Sequence, residues 1–513
     1  MAFNPNTLLI DRSKSVFVTL ETTAGTPALP SANEFILLND FPSYDQQQDT
    51  TNVSTLRNSR TTTDKIFNNF SFGTFSGVSI SARPSGTAGT KPTLGESNLL
   101  EAALGHVTDS TTSGVSAVVI TGGTQGATTV YNVASHGFRV GDTMTVSGDG
   151  DATYNVADQL VTAVTATTIT TNLNSTGAGA APAASGSPVT SIALTRYTLC
   201  EELPYFTMWF FTETGISNCD GGGNVTGGRV LECLAGCQIS SMSIEIAKDG
   251  ELQYSFDGEF QRRYISGPSV TDAITSNGAT TISIDSAYSP AELYFVGQQV
   301  QILHVSGTET MTGGATISAV NASSITVGAV TLSGDMPVGS IVIPYHPTGV
   351  ISGSVLAQRN AVACFAASDT AYGTDTGDIL ESTTPGSGFA ILATSASINL
   401  SQNLQKPTEK ELTGNAYPSA QFILENREIS GEMMLVFRLK DQNYYEAIAN
   451  TPNRAYCFRV GDTKGSIIDA YMPRAFTDVP VDSQDNGARI QTFEFETIEP
   501  TAGVERELTI YYR

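Results

Sequence analysis

Cations are scarce in this chain. Among 513 residues, Lys and Arg number 26 against 50 Asp and Glu, a formal charge of −24 at pH 7. A grip on nucleic acid or anionic lipid rests on cationic contacts to phosphate, so this balance excludes proteins that hold either one tightly. It does not exclude a wall that nucleic acid passes without sticking. Long apolar runs are missing as well. No stretch reaches the roughly 18 apolar residues of a membrane-crossing helix. MAFNPNTLLIDRSKS also lacks a basic-then-apolar leader pattern. The expectation is a soluble protein made in a cytoplasm, with no membrane partner.

Residues that carry chemistry are thin on the ground. The six cysteines (Cys200, Cys219, Cys233, Cys237, Cys364 and Cys457) form no CxxC pair. Cys233 and Cys237 have no His or second Cys pair beside them to complete a zinc site, so reduced, partly buried thiols are expected. His106, His136, His304 and His346 are scattered, and no sequence neighbourhood offers a nucleophile, base and orienting acid together. GDGDAT (148–153) opens like a calcium loop but misses the later acidic ligands, and reads as a turn. GGGNVTGG (221–228) lacks the Lys-Ser/Thr ending of a phosphate loop and reads as a hairpin tip. Glu201-Glu202 and Glu494/Glu496 suit a solvated strand face better than acid–base work. Trp209, the single tryptophan, stands in the apolar run PYFTMWFF and reads as core. The expectation is no catalytic residue, no cofactor-binding residue, no metal ligand and no cofactor: not an enzyme.

What the chain has in quantity is β pattern. Hydrophobic residues make up 40%, enough for real cores, and the length suggests three or four domains at roughly 150 residues each. The chain is organised around GCQISSMSIEIAKDGELQYSFDGEFQRR (236–263). Ile244 and Ile246 alternate before Asp249-Gly250, and Leu252, Tyr254 and Phe256 alternate after it. Such alternation marks half-buried strands, and Asp-Gly between two runs predicts a two-residue hairpin. Asn486-Gly487 before ARIQTFEFE is a fainter echo.

Other segments recur too. FSFGTFSGVSISARP reads as strand, and ESNLLEAALGHV as a short helix with Leu99, Leu100, Ala103 and Leu104 on one face and Gly105 as terminator. REISGEMMLVFRLKDQNYYEAIANTP repeats that order, with Asp441 as cap and Pro452 as stop. The polar segment 40–65 reads either as a mobile surface loop or as one that orders against a neighbouring subunit.

A firmer repeat lies between the halves. VGDTMTVSGDGDATYNVADQLVTAVTATTIT (140–170) aligns without a gap to VGQQVQILHVSGTETMTGGATISAVNASSIT (296–326), an offset of 296 − 140 = 156 throughout. Val, Ile and Thr alternating between Gly, Asp and Ser predict short antiparallel strands. The expected fold is mainly β. A first unit covers 1–114 and 196–270, and a small β domain is inserted at 115–195. A second small β domain, homologous to the first, spans 277–345, and a second unit covers 346–513. The inserts are expected to project from the scaffold as knobs, with TGAGAAPAASGSP (176–188) as a flexible return linker.

Together these residues resemble the major tail tube proteins of tailed bacteriophages. ETTAGTPA, the polar loop after it, the SG-strand followed by a short helix, and the closing long hairpin carry the resemblance. SHGFRVGDTMTV…TAVTATTIT is similar to small β domains that decorate phage virion proteins. The resemblance implies two tube-like β-sandwich or barrel units, each with a short helix. Most family members carry one such fold per chain and some long-tailed phages have duplicated subunits, so the duplication implies trimers forming pseudo-hexameric rings. These would stack into a tube in the virion tail, meeting other tail proteins such as the tape measure and tail terminator, while DNA transits the lumen without specific binding. By the same resemblance, 238–263 and strands near 467–496 line the channel, and 40–65 and 401–420 contact the next ring. The alternatives are a secreted or surface β-rich adhesin or carbohydrate-binding virion protein, and a polysaccharide-cleaving tailspike. The wide repeat spacing speaks against the solenoid that a tailspike needs.

Overall fold

A computed structural model describes residues 14–53, 64–87, 90–109, 118–134, 143–156, 159–165, 167–192, 195–213, 229–247, 250–267, 269–271, 280–284, 290–303, 314–328, 340–356, 362–367, 389–391, 393–406, 422–436, 453–461, 463, 465–478, 481–485, 488–500 and 507–513. The expected second helix at 441–450, GGGNVTGG, His136 and His304 lie outside the described residues.

Strands dominate, as the alternation predicts. Gln253–Phe260 shows the cause: Tyr254, Phe256 and Phe260 are buried on one face while Asp257 is exposed on the other. The helix Leu94–Leu104 ends where the sequence places its stop. Gly105 takes a left-handed φ of 100° and donates its N–H to Glu101 O. A side chain there would also lie 2.7 Å from Cys200 Cβ and 2.9 Å from Glu202 O, so glycine is required twice over.

The scaffold has two layers. One is an antiparallel ladder of eight strands: Ser43–Asp45, Gly73–Ser81, Gln253–Phe260, the second half of Arg229–Ala247, Ala393–Ser401, Glu428–Val436, Ala488–Thr497 and Val481–Asp485. The other is formed in each half of the chain by one pairing scheme. In the first half, Lys14–Leu20 pairs with Phe206–Glu213, which pairs with the start of Arg229–Ala247, which pairs with Arg262–Ser266. In the second, Val362–Ala367 pairs with Asn453–Val460, then Ile468–Thr477, then Thr509–Tyr512. Arg229–Ala247 and Ile468–Thr477 each pass from this layer into the ladder. The main core, with Phe206, Leu234, Ile244, Tyr254, Ile398, Phe458 and Phe495, fills the space between the layers, and the helix's Leu99, Leu100 and Leu104 belong to it.

The first hairpin departs from its expected register. Ile244 lies opposite Tyr254 and Met242 opposite Phe256, whereas a two-residue Asp249-Gly250 turn would set Ile244 against Ser255. A slip of one residue would mismatch the apolar face, and burying that face outweighs the local turn preference. The fainter echo keeps its expected register: Asp485 pairs with Ala488, with two residues between them. The polar segment 40–65 holds strand Ser43–Asp45 and most of a two-stranded sheet, Gln48–Val53 with Asp64–Phe70.

The repeat appears in three dimensions with its register intact. In a closed six-stranded barrel, Val161, Ala163 and Val164 pair with Thr171, Thr170 and Ile169 across a bulge. In a second six-stranded sheet, Ile317, Ala319 and Val320 pair with Val327, Thr326 and Ile325 across the same bulge. A single bridge, Thr271 to Ile284, links the second sheet's two ends, and its first strand begins at Ser269, before the expected 277.

Neither insert stands free as a knob. The barrel shares an apolar cluster with Ala455, Cys457, Tyr471 and Tyr511 on the outer layer of the second half. The second insert sets Phe295 against Trp209 and Phe211 of the first half, with ring centroids of Trp209 and Phe295 6.0 Å apart. Burying one such ring is worth about 2 kcal/mol, enough to seat each insert where apolar surface would otherwise face water. The expected flexible linker is fastened as well. Gly179 N–H donates to Asp151 Oδ2 at 2.9 Å, Ala183 N–H to Asp149 Oδ2 at 2.8 Å, and Tyr154 O–H to Ala180 O at 2.6 Å.

Candidate functional site

The ladder has one apolar and one polar face. Opposed residues on neighbouring strands share a face, so polar side chains line up in rows across it. One row runs Ser79, Ser255, Ser243, Asn399, Ser430 and Glu496. The next runs Ser81, Gln253, Glu245, Ser397, Glu432 and Glu494. Asp257, Glu245, Glu428, Glu432, Glu494, Glu496 and Asp478 are exposed. Among the described residues, no Lys or Arg occupies these rows. On the inner strand Gln253–Phe260, Glu259 Oε1 lies 3.1 Å from Lys406 Nζ. Burial pushes the Glu259 carboxyl up and Lys406 opposes it. Farther along, hydrogen bonds from Arg489 and then Gln491 hold Asp482 below the usual carboxylate range.

A hollow of about 460 Å³ opens in this face between Ser397, Asn399, Glu432, Phe476, Asp478 and Glu494. Gly431 crosses it, and a side chain there would lie 2.4 Å from Phe495 Cζ, so glycine lets the Phe495 ring pack directly beneath the strand. The face is hydroxyl-rich, hydrated and anionic. Its chemistry is repulsion of polyanions and weak contact with water and mobile cations.

The ladder's two margins carry exposed apolar side chains. Leu37 and Phe41 stand 40% and 36% exposed beside strand Ser43–Asp45; Phe476, Val481 and Ile498 stand 40%, 67% and 37% exposed at the opposite margin. Inside the chain the corresponding edges are already joined, because Ser241–Ala247 pairs with Ser395–Ser401 through seven residue pairs.

No family model matches this chain, and no curated protein matches it in sequence.

The other sequence candidates do not converge. His106 lies opposite Thr198, and His346 packs between Phe17 and Phe211 with ring centroids 6.0 and 5.1 Å away. The Asp149 and Asp151 carboxylates are taken by backbone N–H groups of Asp151, Ala183, Thr153 and Gly179. Among the described residues, no group of three His, Cys, Asp or Glu is placed to hold a metal. Burial raises the thiol pKa of Cys233 and Cys237 well above the ordinary value. Trp209 is core and donates its indole N–H to Ala28 O at 2.9 Å. The inserts' Tyr131, Tyr154 and Tyr294 point inward. No described helix is long and apolar enough to cross a membrane.

Sequence reasoning missed two carboxyls that burial raises, half-buried Glu21 and fully buried Glu96. Glu21 accepts N–H groups of Gly25 (2.7 Å) and Gly236 (2.8 Å) and the Thr207 hydroxyl (2.7 Å), and burial pushes its carboxyl up to about 7. Glu96, 2% exposed in the helix's first turn, is likewise pushed up to about 7 by burial.

Proposed function

We propose that this protein is a structural subunit of a phage tail tube, without an active site, whose copies close head-to-tail into rings around a lumen for DNA. The observation that carries the reading is the seam within the chain, where two halves built on one pairing scheme join edge to edge. The same kinds of edge are left at the ladder's outer margins, both with exposed apolar side chains. A heterologous contact between such margins generates a ring when its rotation closes, and it covers edges that would otherwise aggregate. Three copies would supply six halves. With eight strands per copy about 4.8 Å apart, the wall measures roughly 115 Å around and about 37 Å across. Side chains taking about 5 Å from each wall leave a bore wide enough for duplex DNA. The acidic rows then face the lumen, and the seated inserts decorate the outside.

Duplex DNA carries one charge per about 1.7 Å of axis. A lining whose two described polar rows carry no cation leaves it a hydrated gap, on the order of the 8 Å screening length, in which it slides. Virion location and contacts with other tail proteins follow from this role. Electron microscopy of the purified protein tests it: hollow rings or tubes are expected, and isolated rods or compact particles with glycan-cleaving activity would overturn it. Phe476→Asp with Val481→Asp should abolish rings while leaving the monomer's thermal melting within a few degrees.

A further inference from the structure

The helix Leu94–Leu104 belongs to the first half, yet the second half holds it at both ends. At its start, the Tyr512 hydroxyl donates to Glu96 Oε1 at 2.7 Å, and Tyr512 lies in a strand paired to Ile468–Tyr471. At its end, Gln402 Nε2 donates to Ala103 O at 2.8 Å, with both residues buried. Between these points Tyr197 donates to Ser97 Oγ at 2.8 Å, and its ring meets the Tyr512 ring edge-on at 5.8 Å. Tyr254 O–H sits 3.0 Å from Tyr512 O–H, so the Glu96 carboxyl ends a chain of hydroxyls crossing from one half to the other.

We propose that this helix is a proton-linked latch between the two halves, tight while Glu96 carries a proton and loosened when it ionises. Among the described residues, no Lys or Arg side chain forms an ion pair with Glu96 at hydrogen-bond distance. Its remaining partner is the Arg83 backbone N–H, 3.0 Å from Oε2. The titratable and charged groups around it are Tyr512, Tyr254 and Tyr197 from three strands, the more distant Arg83 guanidinium, and Glu34 on the far side of Asn98. Burial also raises the carboxyl of Glu101 on the same helix, and Lys91 and His106 oppose that rise. An isolated carboxylate in such surroundings is costly, so the charged form favours any opening that admits water.

The sign follows from burial, which raises the folded carboxyl from 4.5 to about 7. The folded state therefore binds more protons between those values. The latch is strongest below about pH 4.5 and weakens as pH rises through about 7. It lies inside one chain, whether or not copies close a ring.

Amide hydrogen exchange of residues 94–104 in the full chain, corrected for intrinsic rates, tests this between about pH 5.5 and 8.5. Protection should fall by more than about tenfold across that range. E96Q should flatten the profile. Y512F removes a donor that favours the carboxylate, so it should move the midpoint to higher pH. E21Q, which alters a raised carboxyl outside the helix, should leave the helix profile as it is. Flat wild-type protection, a wild-type profile in E96Q, or flattening by E21Q would each overturn the latch. Should E96Q not fold, an unmoved midpoint in Y512F would overturn it alone.

Discussion

Glu21 shows what a single residue can do that its sequence context conceals. The motif ETTAGTPA is visible in the chain, but Thr207 and Gly236, which share this carboxylate, lie 186 and 215 residues away. No local pattern announces such partners, and neither Glu21 nor Glu96 stands out from the chain's many acids. The linkage has a definite sign. Glu21 folded titrates near 7, against 4.5 for the unfolded group, with burial as the main cause. Its contribution is full below about pH 4.5 and lost as pH rises through about 7. Denaturant titrations should therefore show stability falling over that window by on the order of 2 kcal/mol. In E21Q the fall should be shallower. Equal slopes in both proteins would remove Glu21 from the titration.

Elements were legible wherever local chemistry and tertiary packing agree. The helix Leu94–Leu104 combines apolar spacing, a terminal glycine and a left-handed cap, and its stop falls at the expected residue. The repeat at 140–170 and 296–326 was legible for a similar reason: buried Val146, Val161 and Ile169 match buried Ile302, Ile317 and Ile325, so one pattern specifies one register twice. Asp249-Gly250 fails as a predictor because the turn preference is local while the register is set by rows that include Leu400 and Ile398, over 140 residues away. The linker at 176–188 misleads because composition shows no partner, while Asp149, Asp151 and Tyr154 supply three. Gly105→Val tests the helix stop directly. A β-branched residue at a φ of 100°, against Cys200 and Glu202, should cost about 1–3 kcal/mol in chemical denaturation. A loss below about 0.5 kcal/mol would show that the loop there gives way.

At the scale of the whole molecule, the offset repeat was readable in the sequence, and its two copies keep one register. Which insert covers which half was not, since the apolar outer residues Trp209, Phe211, Tyr471 and Tyr511 read simply as core. The acidic charge was plain from composition; its placement became visible only once strand pairing set Glu245, Glu432 and Glu494 in one row. That placement makes the tube reading vulnerable to a direct experiment. Glu245→Lys with Asn399→Lys puts two cations on the fourth and fifth of the ladder's eight strands, away from either margin, so rings should still assemble. Each lysine gives passing phosphate a contact whose strength falls steeply with salt. Genome ejection from particles carrying the variant should be slower at low salt and approach the wild-type rate as salt is raised. If ejection is unchanged at every salt concentration while rings form normally, this face does not line the path of DNA.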